Sequence, residues 1–150
     1  MLCHLAIGLS LASTGCPGRR SEPPQVVSSG RATLFARLGG LDGIRTLVDD
    51  VASRLAADPR IQTMFVATDF RRFKAQLVVQ LCALTGGPCR YRGRDMAAVH
   101  HGRGIHGEQF DAFLEDAGAA LSGTRVGARE RGEVVELLRA LRSEIVEGAP

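Results

Sequence analysis

The apolar residues of this 150-residue chain recur at helical spacing and almost nowhere at the spacing of a strand. Ile44, Leu47, Val48, Val51 and Leu55 lie on one face of a 3.6-residue repeat. They predict a helix ending at Asp58-Pro59, because proline disfavours a helical conformation in the residue before it. Asp69 is placed to cap the next helix, in which Phe70, Phe73, Leu77, Leu81 and Leu84 form a single stripe. Gly86-Gly87-Pro88 stops that helix. A third helix is expected around Phe110, Phe113, Leu114, Ala117 and Leu121, and a fourth carries Val134, Leu138, Leu141 and Ile145. No segment alternates over more than a few residues, so the fold class expected is all-α.

One internal stretch breaks this rhythm. Between Pro88 and His106 the sequence is rich in glycine and arginine, which suggests a loop carrying a short helix from Asp95 to about Gly102. A helix-poor insert in a helical domain is a favoured place for a ligand.

The amino-terminal region reads differently. Leu5 to Thr14 contains only apolar, small and hydroxyl residues, the length of a signal h-region, and closes on Ser13-Thr14-Gly15-Cys16. Residues 1–16 therefore read as a lipoprotein-type signal segment with Cys16 as the lipidated residue and the membrane attachment. The alternative is a leader on a cytoplasmic protein. Residues 17–31, with Pro17, Gly18, Pro23, Pro24 and Gly30, read as a flexible tether, and the folded domain is expected over 32–147. No apolar run reaches the ~18 residues of a bilayer-spanning helix.

Composition narrows the chemistry. Lys74 is the sole lysine; every other basic residue is arginine, and the net charge is +3. Seven basic residues (Arg71, Arg72, Lys74, Arg90, Arg92, Arg94 and Arg103) face one acid, Asp95, within about a fifth of the chain. Three readings stand: a solvated face, a nucleic-acid patch, or an anionic ligand. Nucleic acid is disfavoured, since no braced recognition helix is present and few aromatics interleave. Phe70, Phe73, Leu77 and Leu81, on the same helix as Arg72 and Lys74, suit a flat apolar ligand with acidic edges. Haem fits that description.

His100, His101 and His106 all fall in the insert. Adjacent helical residues point about 100° apart, so His100 and His101 do not share one ion, and Cys82 and Cys89 lack the tight spacing of structural zinc sites. Surface or satisfied histidines are the plain alternative.

In register over 34–146, the chain resembles the group I truncated haemoglobins. The resemblance rests on Leu34-Phe35-Ala36-Arg37-Leu38-Gly39-Gly40, on Leu55-Ala56-Ala57-Asp58-Pro59 leading to Met64-Phe65, and on Thr68-Asp69. It continues through Gly86-Gly87-Pro88 with Tyr91 and Gly93, then Met96-Ala97-Ala98-Val99-His100 and Gly102-Arg103-Gly104-Ile105. It implies a two-over-two helical sandwich with haem as cofactor and His100 as the proximal iron ligand. Phe65 matches the phenylalanine packed on the ring, Arg72 and Lys74 match positions that reach propionates, and Tyr91 and Met96 match positions near the proximal side. The second ring nitrogen of His100 is expected to donate to a backbone carbonyl or water, and free carbonyls are available late in the short helix, directly before Gly102 and Gly104.

The distal side departs from the family. Its tyrosine and glutamine positions align with Ala52 and Leu77, and its gate position with Phe73. Gln76 and Gln80 are expected to lie off the Leu77 face. An apolar distal pocket is expected, with diatomic gases as ligands and an unidentified reductase as partner. No partner chain is expected. Electron transfer and nitric-oxide detoxification by dioxygenation are the alternatives. A gas-sensor role lacks an output domain, and a haem-free interaction module is opposed by His100, Phe65 and the basic cluster. In an exported protein Cys82 and Cys89 would bridge across the Gly-Gly-Pro turn; in the cytoplasm both would be thiols.

Overall fold

The computed structural model describes residues 32–148. The expectations for the leader, Cys16 and the tether fall outside the described residues. Within them the secondary structure is helical, with no strand. The elements are α1 (Leu34–Arg37), α2 (Gly40–Ala57), a 3₁₀ turn (Gln62–Phe65), α3 (Phe70–Leu84), α4 (Met96–His100), α5 (Gly107–Ser122), α6 (Ala128–Arg139) and α7 (Arg142–Ile145).

The apolar stripes dictate the packing. On α2 the buried face consists of Ile44, Leu47, Val48, Val51, Ala52 and Leu55. It meets both α3, through Leu77, Leu81 and Cys82, and α5, through Phe110, Leu114, Ala117 and Leu121. Helix α6 closes the far side of α5 with Val134 and Leu138. The α2–α3 and α5–α6 pairs form the two-over-two sandwich. Ile44, Val48, Leu55, Phe110, Leu121 and Val134 are all but inaccessible to solvent. Each such side chain contributes roughly 1.5–3 kcal/mol relative to exposure.

The helix boundaries follow local chemistry. The Asp69 carboxylate accepts from the backbone N–H groups of Arg71 and Arg72 at 3.0 and 3.1 Å, capping α3 as expected. At the start of the domain, Phe35 N–H donates to Thr85 O (2.8 Å), and Arg37 bridges Glu130 and Glu133. These contacts tie α1 to the end of α3 and to α6.

Two expectations change. The fourth apolar stripe, expected in one helix through Ile145, is split at Ala140–Leu141 into α6 and α7. Arg142 then pairs with Asp111 (2.5 Å) and sits over the Phe110 ring at 5.4 Å, while α7 packs against α4. The short helix expected to reach Gly102 ends at His100, because His101 is already extended at ψ 133°.

Candidate functional site

The segment from Gly86 to Gln109 carries His100 and is assembled from short-range contacts together with a few links to α3 and to the end of the chain. The bridge expected for an exported chain is present: Cys82, fully buried at the end of α3, is joined to Cys89. Beyond it the Tyr91 hydroxyl donates to the Arg94 carbonyl (3.0 Å). Gly93 lies beside that ring; a Cβ there would fall 2.3 Å from the Tyr91 hydroxyl oxygen, so a larger residue would displace the ring from the Arg94 carbonyl. Asp95 caps α4 by accepting from Ala97 N–H at 2.8 Å.

His100 is the last residue of α4 and is half-buried. Its Nδ1 lies 2.7 Å from the Met96 carbonyl oxygen, and donation to that oxygen places the proton on Nδ1. Nε2 is thereby left as a neutral donor atom for a metal. The expected backbone-carbonyl partner is found, on the residue one turn earlier in the same helix. His101 is exposed, and its N–H closes on Ala97 O (2.9 Å). His106 is exposed at the start of α5, where its N–H donates to Gln109 Oε1 (2.9 Å).

The other expected site residues are distributed as follows. Phe65, in the 3₁₀ turn, packs with Phe70 and Phe73 in a three-ring cluster, centroids 5.6–5.9 Å apart. Leu77 is buried on α3. Met96, half-buried at the start of α4, accepts at Sδ from Gln80 Nε2 (3.1 Å), linking α3 to α4. That contact engages Gln80, and Gln76 is exposed, so neither amide serves the Leu77 face. Arg72 is exposed. The Lys74 ammonium is paired with Asp49 at 2.9 Å across the α2–α3 contact, a partner not foreseen from the sequence.

The opposite wall is apolar. Leu47 and Val51 of α2, Leu77 and Leu81 of α3, Phe113, Ala117 and Leu121 of α5, and two α6 residues enclose a cavity of about 10 Å³. That volume is at the threshold for one water, and the lining offers no polar partner to hold it. Ala52 is buried beside these residues. Thr85 is the one buried polar residue among those described, and its hydroxyl is committed to Leu81 O (2.7 Å).

This donor set fits haem and does not fit a bare metal ion. The described residues contain no cluster of three or more metal-ligating side chains. A single imidazole holds iron only when another group supplies the remaining ligands, as a porphyrin does. The half-buried rings of Phe65, Phe70 and Phe73 are apolar surface of the kind such a macrocycle packs on.

Comparison with known proteins agrees. The chain matches the profile of the family described as Bacterial-like globin over residues 33–147. It belongs to that family. It is 32% identical to a Group 1 truncated hemoglobin of Synechocystis sp. over 79% of this chain and 92% of that protein. With the Group 1 truncated hemoglobin of Mycolicibacterium paratuberculosis it shares 29% identity over 87% of this chain and 90% of the relative. Among solved structures, the truncated hemoglobin of Tetrahymena pyriformis superposes with a TM-score of 0.73 at 27% identity, covering 76% of this chain and 97% of the other. A Group II truncated hemoglobin from Bacillus anthracis gives 0.72 at 26% identity, covering 79% and 93%. This globin is accordingly of the truncated-haemoglobin type, and haem is its cofactor.

Proposed function

We propose that this globin reversibly binds diatomic gases at haem iron held by His100, beneath a distal wall without a hydrogen-bond donor. The observation that carries this reading is the His100 ring, with Nδ1 donating to Met96 O and Nε2 left for the metal. Phe65, Phe73, Leu77 and Met96 supply apolar contact to the porphyrin. Tyr91 acts less directly, bracing the loop that leads into α4. Arg72, exposed, is available to a propionate; Lys74 serves one by leaving Asp49.

Haem supplies the iron, and the chain decides which ligands stay. A donor next to a partly negative oxygen ligand is worth about 1.5–3 kcal/mol. Ala52 and Leu77 provide none, and Thr85 and Gln80 are engaged elsewhere. Oxygen release is therefore expected to be about ten- to a hundredfold faster than with a donor in place. Carbon monoxide and nitric oxide, which rely less on a donor, are retained better. The wall also makes nitric-oxide dioxygenation a poorer fit than simple gas binding, since that reaction starts from long-held oxygen.

Stopped-flow measurement of oxygen dissociation, on the wild type and on Ala52→Tyr, tests this reading. Rapid release in the wild type and slower release in the variant are expected. A wild-type rate unaffected by any hydroxyl or amide introduced at positions 52 and 77 would overturn the apolar-wall reading.

A further inference from the structure

Helix α4 is too short to persist by itself; five residues make little more than one turn, and nucleation alone disfavours it. The last carbonyls of a helix also lack intrahelical donors and must find others. In α4 each of them does. Met96 O faces His100 Nδ1, and Ala97 O accepts from His101 N–H. Ala98 O accepts from Arg94 Nη2 at 2.9 Å, Val99 O from Arg103 Nε at 2.6 Å, and His100 O from Arg103 N–H at 3.2 Å.

Two of these donors are guanidinium groups, one from the residue just before the helix cap and one from just after its end. Cations at a helix C-terminus also oppose the negative end of its dipole. A third contact steadies the loop that carries Arg103. Gly104 N–H donates to Glu147 Oε1 (3.0 Å), and Glu147 N–H donates to Ile105 O (2.9 Å).

We infer that Arg94 and Arg103 are positioning residues for His100: by taking the Ala98 and Val99 carbonyls they keep the single turn of α4 closed, and so hold Met96 O where the His100 ring needs it. This role rests on the reading of His100 as the iron ligand. The imidazole gains basicity and a fixed orientation from its carbonyl partner. Opening the turn releases both.

The test uses the full-length haem protein. The iron–histidine stretching band of the ferrous, ligand-free form is recorded by resonance Raman for the wild type, Arg94→Ala, Arg103→Ala, the double variant and Arg103→Lys. Amide hydrogen exchange over residues 97–103 is followed on the same samples. Arg90→Ala, which removes an exposed charge from the same loop, is the control.

The alanine variants are expected to shift or split the band and to speed His101 amide exchange about tenfold or more, the range for a lost charge-assisted bond. Arg103→Lys should restore much of the wild-type band, and Arg90→Ala should leave both readouts unmoved. A double variant with wild-type band and exchange would overturn the positioning role alone. A wild-type protein with no iron–histidine band would overturn the assignment of His100, and this role with it. An equal shift in Arg90→Ala would reassign the effect to net charge and overturn the clamp.

Discussion

The two walls of this globin are built on different principles. Every buried residue among those described lies either between Leu34 and Thr85 or between Phe110 and Leu138. Between Gly86 and Gln109 not one residue is buried. The helical sandwich is held by close apolar packing, whose strength scales with area removed from water. The segment bearing His100 is held by a covalent bridge, one aromatic hydroxyl and a set of charged caps. The difference shows that a candidate ligand side chain can be placed without a core beneath it, provided that each backbone group around it has a partner.

The largest expected effect comes from taking the cofactor away. Hydrogen exchange followed by mass spectrometry on the haem-free protein, or on His100→Gly, should show protection lost across 86–109 by about a hundredfold or more, while α2 and α5 keep theirs. The same variant should lose the iron–histidine signature. Equal loss in both regions would erase the contrast between the walls.

Core and proximal truncations sharpen the contrast next. Leu121→Ala, at a site with no exposure, is expected to cost about 2–5 kcal/mol in urea unfolding. Val99→Ala, at a half-buried site on α4, should cost about 1 kcal/mol or less in the same measurement. Reduction of the Cys82–Cys89 bridge is expected at the low end of the core truncation's range. Its sequence separation of seven gives a loop-closure contribution of about 2.5 kcal/mol, and faster exchange should appear first in residues 86–95.

The smallest effect is electrostatic and belongs to the sandwich. Glu133 is held below the ordinary glutamate value of 4.5, chiefly by the hydrogen bond from the Arg37 guanidinium. A carboxyl depressed in the folded state adds stability above its unfolded pKa and loses it as pH falls. Glu133→Gln should therefore lower stability modestly near neutrality and flatten the profile below about pH 4.5, where its melts converge with those of the wild type.

Much of the sandwich was legible because its signals are local and periodic. The stripes on α2, α3 and α5 appear at helical spacing, and Asp69 and Asp95 cap where a short acidic side chain is expected to. The split between α6 and α7 was not legible. Leu138, Leu141 and Ile145 keep the same period through it, and no glycine or proline marks the break. Its cause lies in partners distant in sequence, Asp111 and Phe110 for Arg142 and α4 for α7. At the site, His100 stood out through the family motif, and Cys82 with Cys89 through the turn between them. The roles of Arg94 and Arg103 were hidden inside a cluster read only by its charge. Their spacing, four residues before Ala98 and four after Val99, was the available signal. Nothing in the sequence pointed from Lys74 to Asp49, a contact that exists only once α2 and α3 are packed.

The sulfur–sulfur link also governs how the crevice can change shape. It fastens the tail of the distal helix to the root of the proximal strip, so the two sides share a fixed vertex. The distance between those two points of the backbone is therefore fixed by a bond rather than by packing.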